Sequence, residues 1–281
     1  MKCIDLHVHS TCSDGTLTPA ELVQYALKKH LQAFALTDHD TVAGLDEAFL
    51  AAKGTSLEVI SGIEFSTEYH GKDIHIVGLD FNYKDPLFLN RIQLFQDSRD
   101  IRNRKMIEKL KEHGIAISWE AMEEAFGEAV WTRAHFARYL KDHGYVQEMS
   151  DAFSMYIGDS CPCFVPREKV TPSQAVHLVR QVGGIPVLAH PLLYHLPVTD
   201  LEELLLELRQ AGLLGIEALY STHSQWEEEF VRRLARKHHL HISGGSDFHG
   251  SNKPSIDLGT GRGNLQIPYE ILKELREAAQ V

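Results

Sequence analysis

Residues 3–10 read Cys3-Ile4-Asp5-Leu6-His7-Val8-His9-Ser10. Alternate side chains of a strand share a face, so His7 and His9 point one way and Ile4, Leu6 and Val8 the other. Two imidazoles at a strand end are a ready pair of metal ligands. Farther on come Thr37-Asp38-His39-Asp40, Gly62-Ile63-Glu64, His75, Ala189-His190-Pro191 and Ser246-Asp247-Phe248-His249. Histidines and carboxylates without thiolates suit a multinuclear site for Mn²⁺, Fe²⁺ or Zn²⁺. The chain has 17 histidines, so some clustering arises by chance, and His30, His113 or His177 carry only the ordinary surface or core reading. Chance explains less when His-x-His, Asp-His-Asp, His-Pro and Asp-x-His all fall at the ends of apolar runs. Asp38 or Asp40 could hold the His39 ring, and Asp5 that of His7 or His9. Strand-end polarity accounts for these aspartates equally well.

The elements that must position these residues alternate between strand and helix. Thr18-Pro19-Ala20-Glu21 is a helix start, with a capping threonine, proline at the first helical position and a glutamate that completes a capping box. Leu22, Val23, Ala26 and Leu27 form its apolar stripe. The pattern then predicts a strand over 33–36, a helix over 42–53 and a strand from 58 running into Glu64. His70-Gly71 reads as a turn and 73–79 as the returning strand. From about 96 to 165 the chain reads as helical and charged without strands, with helices over 99–112, 119–126 and 132–143. This stretch is expected to be an insertion. Alternation resumes at Val170: Thr171-Pro172 opens a helix, 185–189 delivers His190, 216–219 follows, and 241–244 delivers Asp247 and His249. Ligands at the C-terminal ends of successive strands are the layout of a barrel active site. The expected fold is α/β: a barrel over 1–95 and 166–281, interrupted by a helical insertion over 96–165 that covers the site.

The bulk properties narrow the partners. A length of 281 residues, 43% hydrophobic and 24% charged, suits one soluble barrel. No run approaches the ~18–20 apolar residues of a membrane span. The chain opens without a basic-then-apolar leader, so a cytoplasmic location is expected. Cys3, Cys12, Cys161 and Cys163 then read as free thiols, and Cys161-Pro162-Cys163 is too tight for a CxxC knuckle. A net charge of −11 opposes stable binding of duplex nucleic acid. A small phosphorylated ligand stays compatible: three divalent metals held by three carboxylates leave roughly +3 in the site. The sequence offers no nucleophile elbow, Walker loop or cysteine–histidine pair in a catalytic context. Metal-activated water is therefore the expected nucleophile.

In order, and over nearly the whole barrel, these motifs resemble the polymerase and histidinol phosphatase (PHP) family. They are Asp5-x-His7-x-His9-Ser10 with Ser13-Asp14-Gly15, Thr37-Asp38-His39, Gly62-Ile63-Glu64, His75-Ile76-Val77-Gly78, Ala189-His190-Pro191 and Ser246-Asp247-x-His249. The resemblance implies a distorted (β/α)7 TIM-like barrel holding two to three divalent metals, Mn²⁺ first, Fe²⁺ or Zn²⁺ as alternatives and Mg²⁺ behind them. It implies that His7, His9 and Asp247 bind one metal, that Glu64 bridges to a second held by His75 and His190, and that Asp14, His39 and His249 hold a third. Length and insertion resemble the family's small stand-alone phosphoesterases, the 3′,5′-nucleoside bisphosphate phosphatases and related 5′→3′ exoribonucleases. Thr132-Arg133-Ala134-His135 looks like their phosphate-binding segment, with Arg133 and His135 on substrate and Arg133 also supplying charge to the reaction. Arg99 and Arg102, in a basic run with Arg104 and Lys105, are further candidates for substrate, although a solvated helix face explains that run equally well. Asp247 or His249 is the candidate proton carrier. The implied substrate is a small phosphorylated nucleotide or short oligonucleotide, with no membrane partner. The implied reaction removes the 3′-phosphate of a nucleoside 3′,5′-bisphosphate. Alternatives are 5′→3′ trimming of short RNA, hydrolysis of histidinol phosphate, or a metal-binding module without turnover.

Overall fold

The structure is a computed structural model that describes residues 3–166 and 170–280. Eight strands form one sheet: β1 (Cys3–Val8), β2 (Ala33–Leu36), β3 (Glu58–Tyr69), β4 (Lys72–Leu79), β5 (Ile185–Leu188), β6 (Gly215–Tyr220), β7 (His241–Gly245) and β8 (Ile267–Pro268). Their order is β7-β6-β5-β4-β3-β2-β1-β8. Strands β1–β3 and β5–β7 run parallel, each step crossing over through a helix, while β4 is antiparallel to both neighbours. The β3–β4 turn is the expected one. His70 and Gly71 both adopt positive φ, 50° and 79°, as a two-residue hairpin turn of this kind requires.

The sheet curls until its two ends meet. The Asp247 amide donates to the His7 carbonyl at 2.9 Å, and the His9 amide to the Phe248 carbonyl at 3.0 Å. At the other end of β1, β8 pairs antiparallel with Cys3 and Ile4. The result is a nearly closed, distorted α/β barrel. Strand β8 has no counterpart in the sequence reading, because two residues are too few to show a period; the ten-residue helix after it has none either, although Ile271, Leu272 and Leu275 recur at helical spacing.

The helices follow their sequence signals. On the barrel these are α1 (Pro19–Lys28), α2 (Leu45–Ala52), α7 (Pro172–Gln181), α8 (Val198–Ala211), α9 (Gln225–Lys237) and α10 (Glu270–Ala279). Thr18, Thr171 and Ser224 cap α1, α7 and α9 with complete capping boxes. Between β4 and α7 lie α3 (Pro86–Glu112), α4 (Trp119–Phe126), α5 (Arg133–Asp142) and α6 (Met149–Ala152), the last running into a π-helical turn over Phe153–Ile157. Helix α3 is longer than the 99–112 the sequence suggests. Its first half packs Phe88, Ile92 and Phe95 into the barrel's outer core. Its second half packs Met106, Ile107 and Leu110 into a separate apolar core with Trp131, Phe136 and Leu140.

Two local features aim β1 at the site. The β1–β2 register shifts between Asp5 and Val8, where the strand stops supplying the core that Ile4 and Leu6 share with β5 and β8 and begins supplying His7 and His9, while Val8 packs with Leu22, Phe34 and Leu36. Beside it, β7 approaches so closely that a Cβ on Gly245 would lie 2.2 Å from the His7 Cβ and 2.6 Å from the His7 amide nitrogen. The Gly245→Ala variant should therefore lose about 1–3 kcal/mol of stability or more, checked by urea unfolding followed by circular dichroism. A wild-type midpoint would show that this closure tolerates a methyl group.

Candidate metal centre

Glu64 on β3 is buried, and its carboxylate collects five imidazoles. His7 Nε2, His9 Nε2 and His39 Nδ1 each lie 3.2 Å from Oε2. His75 Nδ1 lies 2.8 Å and His190 Nε2 3.0 Å from Oε1. Two aspartates complete the set. Asp247 Oδ1 is 3.3 Å from His249 Nδ1 and 3.4 Å from His9 Nε2. Asp14 Oδ1 is 3.1 Å from His249 Nε2. All nine residues the sequence singled out as metal ligands thus converge: at or just after the C-terminal ends of β1, β2, β5 and β7, with Glu64 within β3 and His75 in the first half of antiparallel β4.

Their ligand atoms fall into four overlapping groups, each within 4.8 Å: His9, Asp14, His39 and His249; His7, Glu64 and His190; His7, His9 and Asp247; His39, Glu64 and His75. The first group adds His9 to the expected Asp14–His39–His249 trio. His75 and His190 meet through Glu64 and fall in different groups. His7 Nε2, His9 Nε2, His39 Nδ1 and Asp14 Oδ1 are buried and have no hydrogen-bond partner among the described residues. Native interiors rarely leave such atoms unpaired. Unpaired ligand atoms aimed at common points fit divalent cations.

The charges agree with this. Burial opposes ionisation of Asp14, Glu64 and Asp247, but their neighbours overcome it and hold all three well below the usual carboxylate range: His39 and His249 for Asp14, His39 and His7 for Glu64, Lys253 and His249 for Asp247. Burial pushes His39 down to about 3 and also lowers His190 and His249, whereas nearby carboxylates outweigh burial at the other three rings: Glu64, Glu217 and Asp247 raise His7 well above the ordinary imidazole value, Asp247 and Glu64 bring His9 up to about 9, and Glu64 raises His75. A cation entering this set binds the rings in their neutral form and displaces protons from those that carry them.

The comparisons with known proteins agree with this geometry. The PHP domain model matches residues 5–156. A 5′-3′ exoribonuclease of Haemophilus influenzae is 37% identical over 88% of this chain and 90% of its own. The chain belongs to the PHP domain family. It is accordingly a phosphoester hydrolase. A 3′,5′-nucleoside bisphosphate phosphatase of Chromobacterium violaceum is 35% identical over 92% of this chain and 91% of its own. Among solved structures, an amidohydrolase of Chromobacterium violaceum, with bound sulfate and no metal, superposes with a TM-score of 0.88 at 34% identity, covering 98% of this chain and 96% of that one.

Around the PHP ligands, the supporting contacts differ from those expected. Asp5 does not reach either ring; it accepts from Ser246 (amide 2.8 Å, hydroxyl 2.5 Å) and from the Gly259 amide at 2.8 Å. Asp38 accepts from the Ser10 amide at 2.7 Å and from the Ser10 and Ser13 hydroxyls at 2.6 Å each, which fixes the loop after β1. Asp40 pairs with Arg99. The carboxylate that does hold a ligand ring is Glu217 on β6: Oε1 lies 3.1 Å from His7 Nδ1, and Oε2 accepts the His190 amide at 2.8 Å. The sequence reading missed it, although a glutamate inside the apolar run Gly215–Tyr220 is a visible signal. That second bond also steadies His190, which sits at a strained φ of 24°.

A cleft opens over one side of this PHP centre, lined by Asp14, His39 and His75 and by Arg99, Arg102 and Arg133. Arg99 and Arg102 are buried on α3, so this part of the basic run is not a solvated face. Arg104 leaves the cleft and stacks on Trp119 at 3.8 Å. Arg133 stands at the rim between Asp73 at 2.6 Å and Asp159 at 2.7 Å. His135 lies apart from this cleft. Its Nδ1 accepts from the Thr132 amide at 3.0 Å, and its ring lines a separate groove with Phe126 and Tyr25. Thr132 itself donates to Asp14 Oδ2 at 2.8 Å.

Glutamine at position 217 offers one acceptor where two donors need one. The Glu217→Gln protein should fold normally by circular dichroism yet hold metal roughly 10–100-fold less tightly, measured as metal content after dialysis against graded chelator. Unchanged retention would remove Glu217 from the support of His7.

Proposed function

We propose that this protein hydrolyses the O3′–P bond of a nucleotide that also carries a 5′-phosphate, with a nucleoside 3′,5′-bisphosphate as the simplest substrate. The observation that carries this reading is one cleft whose lining brings together three candidate metal ligands, Asp14, His39 and His75, and three arginines, Arg99, Arg102 and Arg133. A substrate with two phosphates can place one against each set. We assign His7, His9 and Asp247 to one metal, Glu64, His75 and His190 to a second, and Asp14, His39 and His249 to a third, with Mn²⁺ as the first candidate. Bound divalent metals supply activated water and neutralise phosphoryl charge.

The chain's own groups do the rest. The guanidinium groups hold the second phosphate through charge-assisted, bidentate bonds. That contact orients the scissile phosphorus for in-line attack, and Arg133, at the rim, is the candidate for adding positive charge as the transition state develops. Asp247 and His249, in contact with each other at the site, are the candidates for moving a proton toward the departing O3′.

The second reading, 5′→3′ trimming of short RNA, is favoured by the relatives named as exoribonucleases. It asks for the same bond: water attacks the phosphorus that follows the first nucleotide, O3′ leaves, and a nucleoside with its 5′-phosphate departs. The two readings differ only in what the scissile phosphate carries.

Phosphate release with Mn²⁺ from adenosine 3′,5′-bisphosphate, 5′-AMP and histidinol phosphate, beside mononucleotide release from a short 5′-phosphorylated RNA, tests both. Preference for the bisphosphate with accumulation of 5′-AMP is expected. Stepwise mononucleotide loss at higher kcat/KM would move the assignment to exonuclease, and turnover of histidinol phosphate alone would reject both. Glu64→Gln should lose metal and nearly all turnover. Arg102→Met should raise KM for the bisphosphate about tenfold or more, the worth of a charged hydrogen bond, with kcat changing less. An unchanged KM would take the second phosphate away from the arginines.

A further inference from the structure

Outside the nine candidate ligands, Lys253 reaches into the centre. Asp247 turns Oδ1 toward His249, His9 and His7, at 3.3, 3.4 and 3.7 Å. Its other oxygen, Oδ2, accepts from Lys253 Nζ at 2.5 Å and from the Tyr220 hydroxyl at 2.7 Å. One oxygen therefore faces the imidazoles and the other is tied back.

The delivery of Lys253 is rigid. It follows the short 3₁₀ turn Gly250–Asn252, and its amide donates to the Gly250 carbonyl at 3.2 Å. The Ser251 amide donates to Thr16 Oγ1 at 2.9 Å, and Asn252 Nδ2 to the Asp14 carbonyl at 2.8 Å. The turn that presents Lys253 thus also grips the loop that carries Asp14. Tyr220 comes from the last position of β6, next to the barrel's closing strand. The backbone of Asp247 is equally constrained: φ is 57°, its amide donates to the His7 carbonyl at 2.9 Å, and its own carbonyl lies 2.8 Å from His249 Nδ1.

A free carboxylate can rotate and can bind a cation through one oxygen or both. Two hydrogen bonds on Oδ2, one of them to an ammonium, remove that freedom. We infer that Lys253, with Tyr220 beside it, is a positioning residue that makes Asp247 a one-oxygen metal ligand. The inference rests on the metal-centre reading above. It assigns Lys253 no contact with substrate.

The test is Mn²⁺ titration of chelator-stripped protein, with free Mn²⁺ followed by electron paramagnetic resonance, alongside steady-state kinetics on adenosine 3′,5′-bisphosphate. Lys253→Met should weaken one Mn²⁺ equivalent roughly 10–100-fold, the usual effect of removing a group that orients a ligand. It should lower kcat and leave KM unchanged. Tyr220→Phe should move the same equivalent in the same direction by less, and Lys253→Arg should restore most of the affinity. The two conservative variants keep the test valid if the methionine variant fails to fold. Wild-type Mn²⁺ affinity in Lys253→Met, or a raised KM with metal uptake untouched, would overturn the inference; the second result would put Lys253 on the substrate. Wild-type protein that takes up no divalent metal would overturn the metal-centre reading itself, and the wild-type titration alone distinguishes that failure.

Discussion

A carboxylate buried as deeply as that of Glu64 is costly unless positive charge or metal surrounds it, by several kcal/mol for an uncompensated ion. The structure surrounds it with five imidazoles at 2.8–3.2 Å. They arrive from four other places: the end of β1, the loop after β2, β4 and the loop after β5. Strands β2 and β4 flank β3 directly, while β1 and β5 lie one strand farther out, so it is the curl of the sheet that brings their rings in to Glu64. The barrel and the centre therefore require each other. Closure brings the rings to Glu64, and the His7 carbonyl that accepts the Asp247 amide is itself part of the closing seam.

The same requirement explains three of the places where the backbone is unusual. His190, Asp247 and Asp40 occupy positive φ, at 24°, 57° and 53°, which costs of order 1–3 kcal/mol each for residues with a Cβ. Each lies just past a strand end, where an extended chain would carry its side chain past the centre. Glu217 steadies the first through the His190 amide, Lys253 and Tyr220 the second, and Arg99 with the Ser66 amide the third. Strain in the main chain is thus matched, place by place, by a polar side chain that holds it.

The candidate ligand cluster was legible because imidazole and carboxylate near strand ends stand out against apolar runs, and the hairpin and the capping boxes because they have short local signals. The supporting contacts were not. Asp5, Asp38 and Asp40 have the residue types to hold histidine rings, but which group each meets depends on chain segments far away in sequence. Asp5 thus serves Ser246 and Gly259, and Asp40 serves Arg99. Tyr220 and Lys253 belong to no local pattern. The basic run on α3 divides by helical rotation, which turns Arg99 and Arg102 inward and Arg104 toward Trp119. His135, a plausible residue type in the right segment, lines a different groove.

Helix α3 is one uninterrupted rod of 27 residues, about 40 Å at the usual rise, clamped near one end by the barrel and near the other by the insertion's own core. The two buried arginines sit close to its middle. A rod held at both ends does not hinge between its clamps, so the gap from those guanidinium groups to the ligand cluster is a fixed length. On the proposed function, the cleft would then act as a gauge, sorting molecules by the spacing of their two anions more than by what lies between or beyond them.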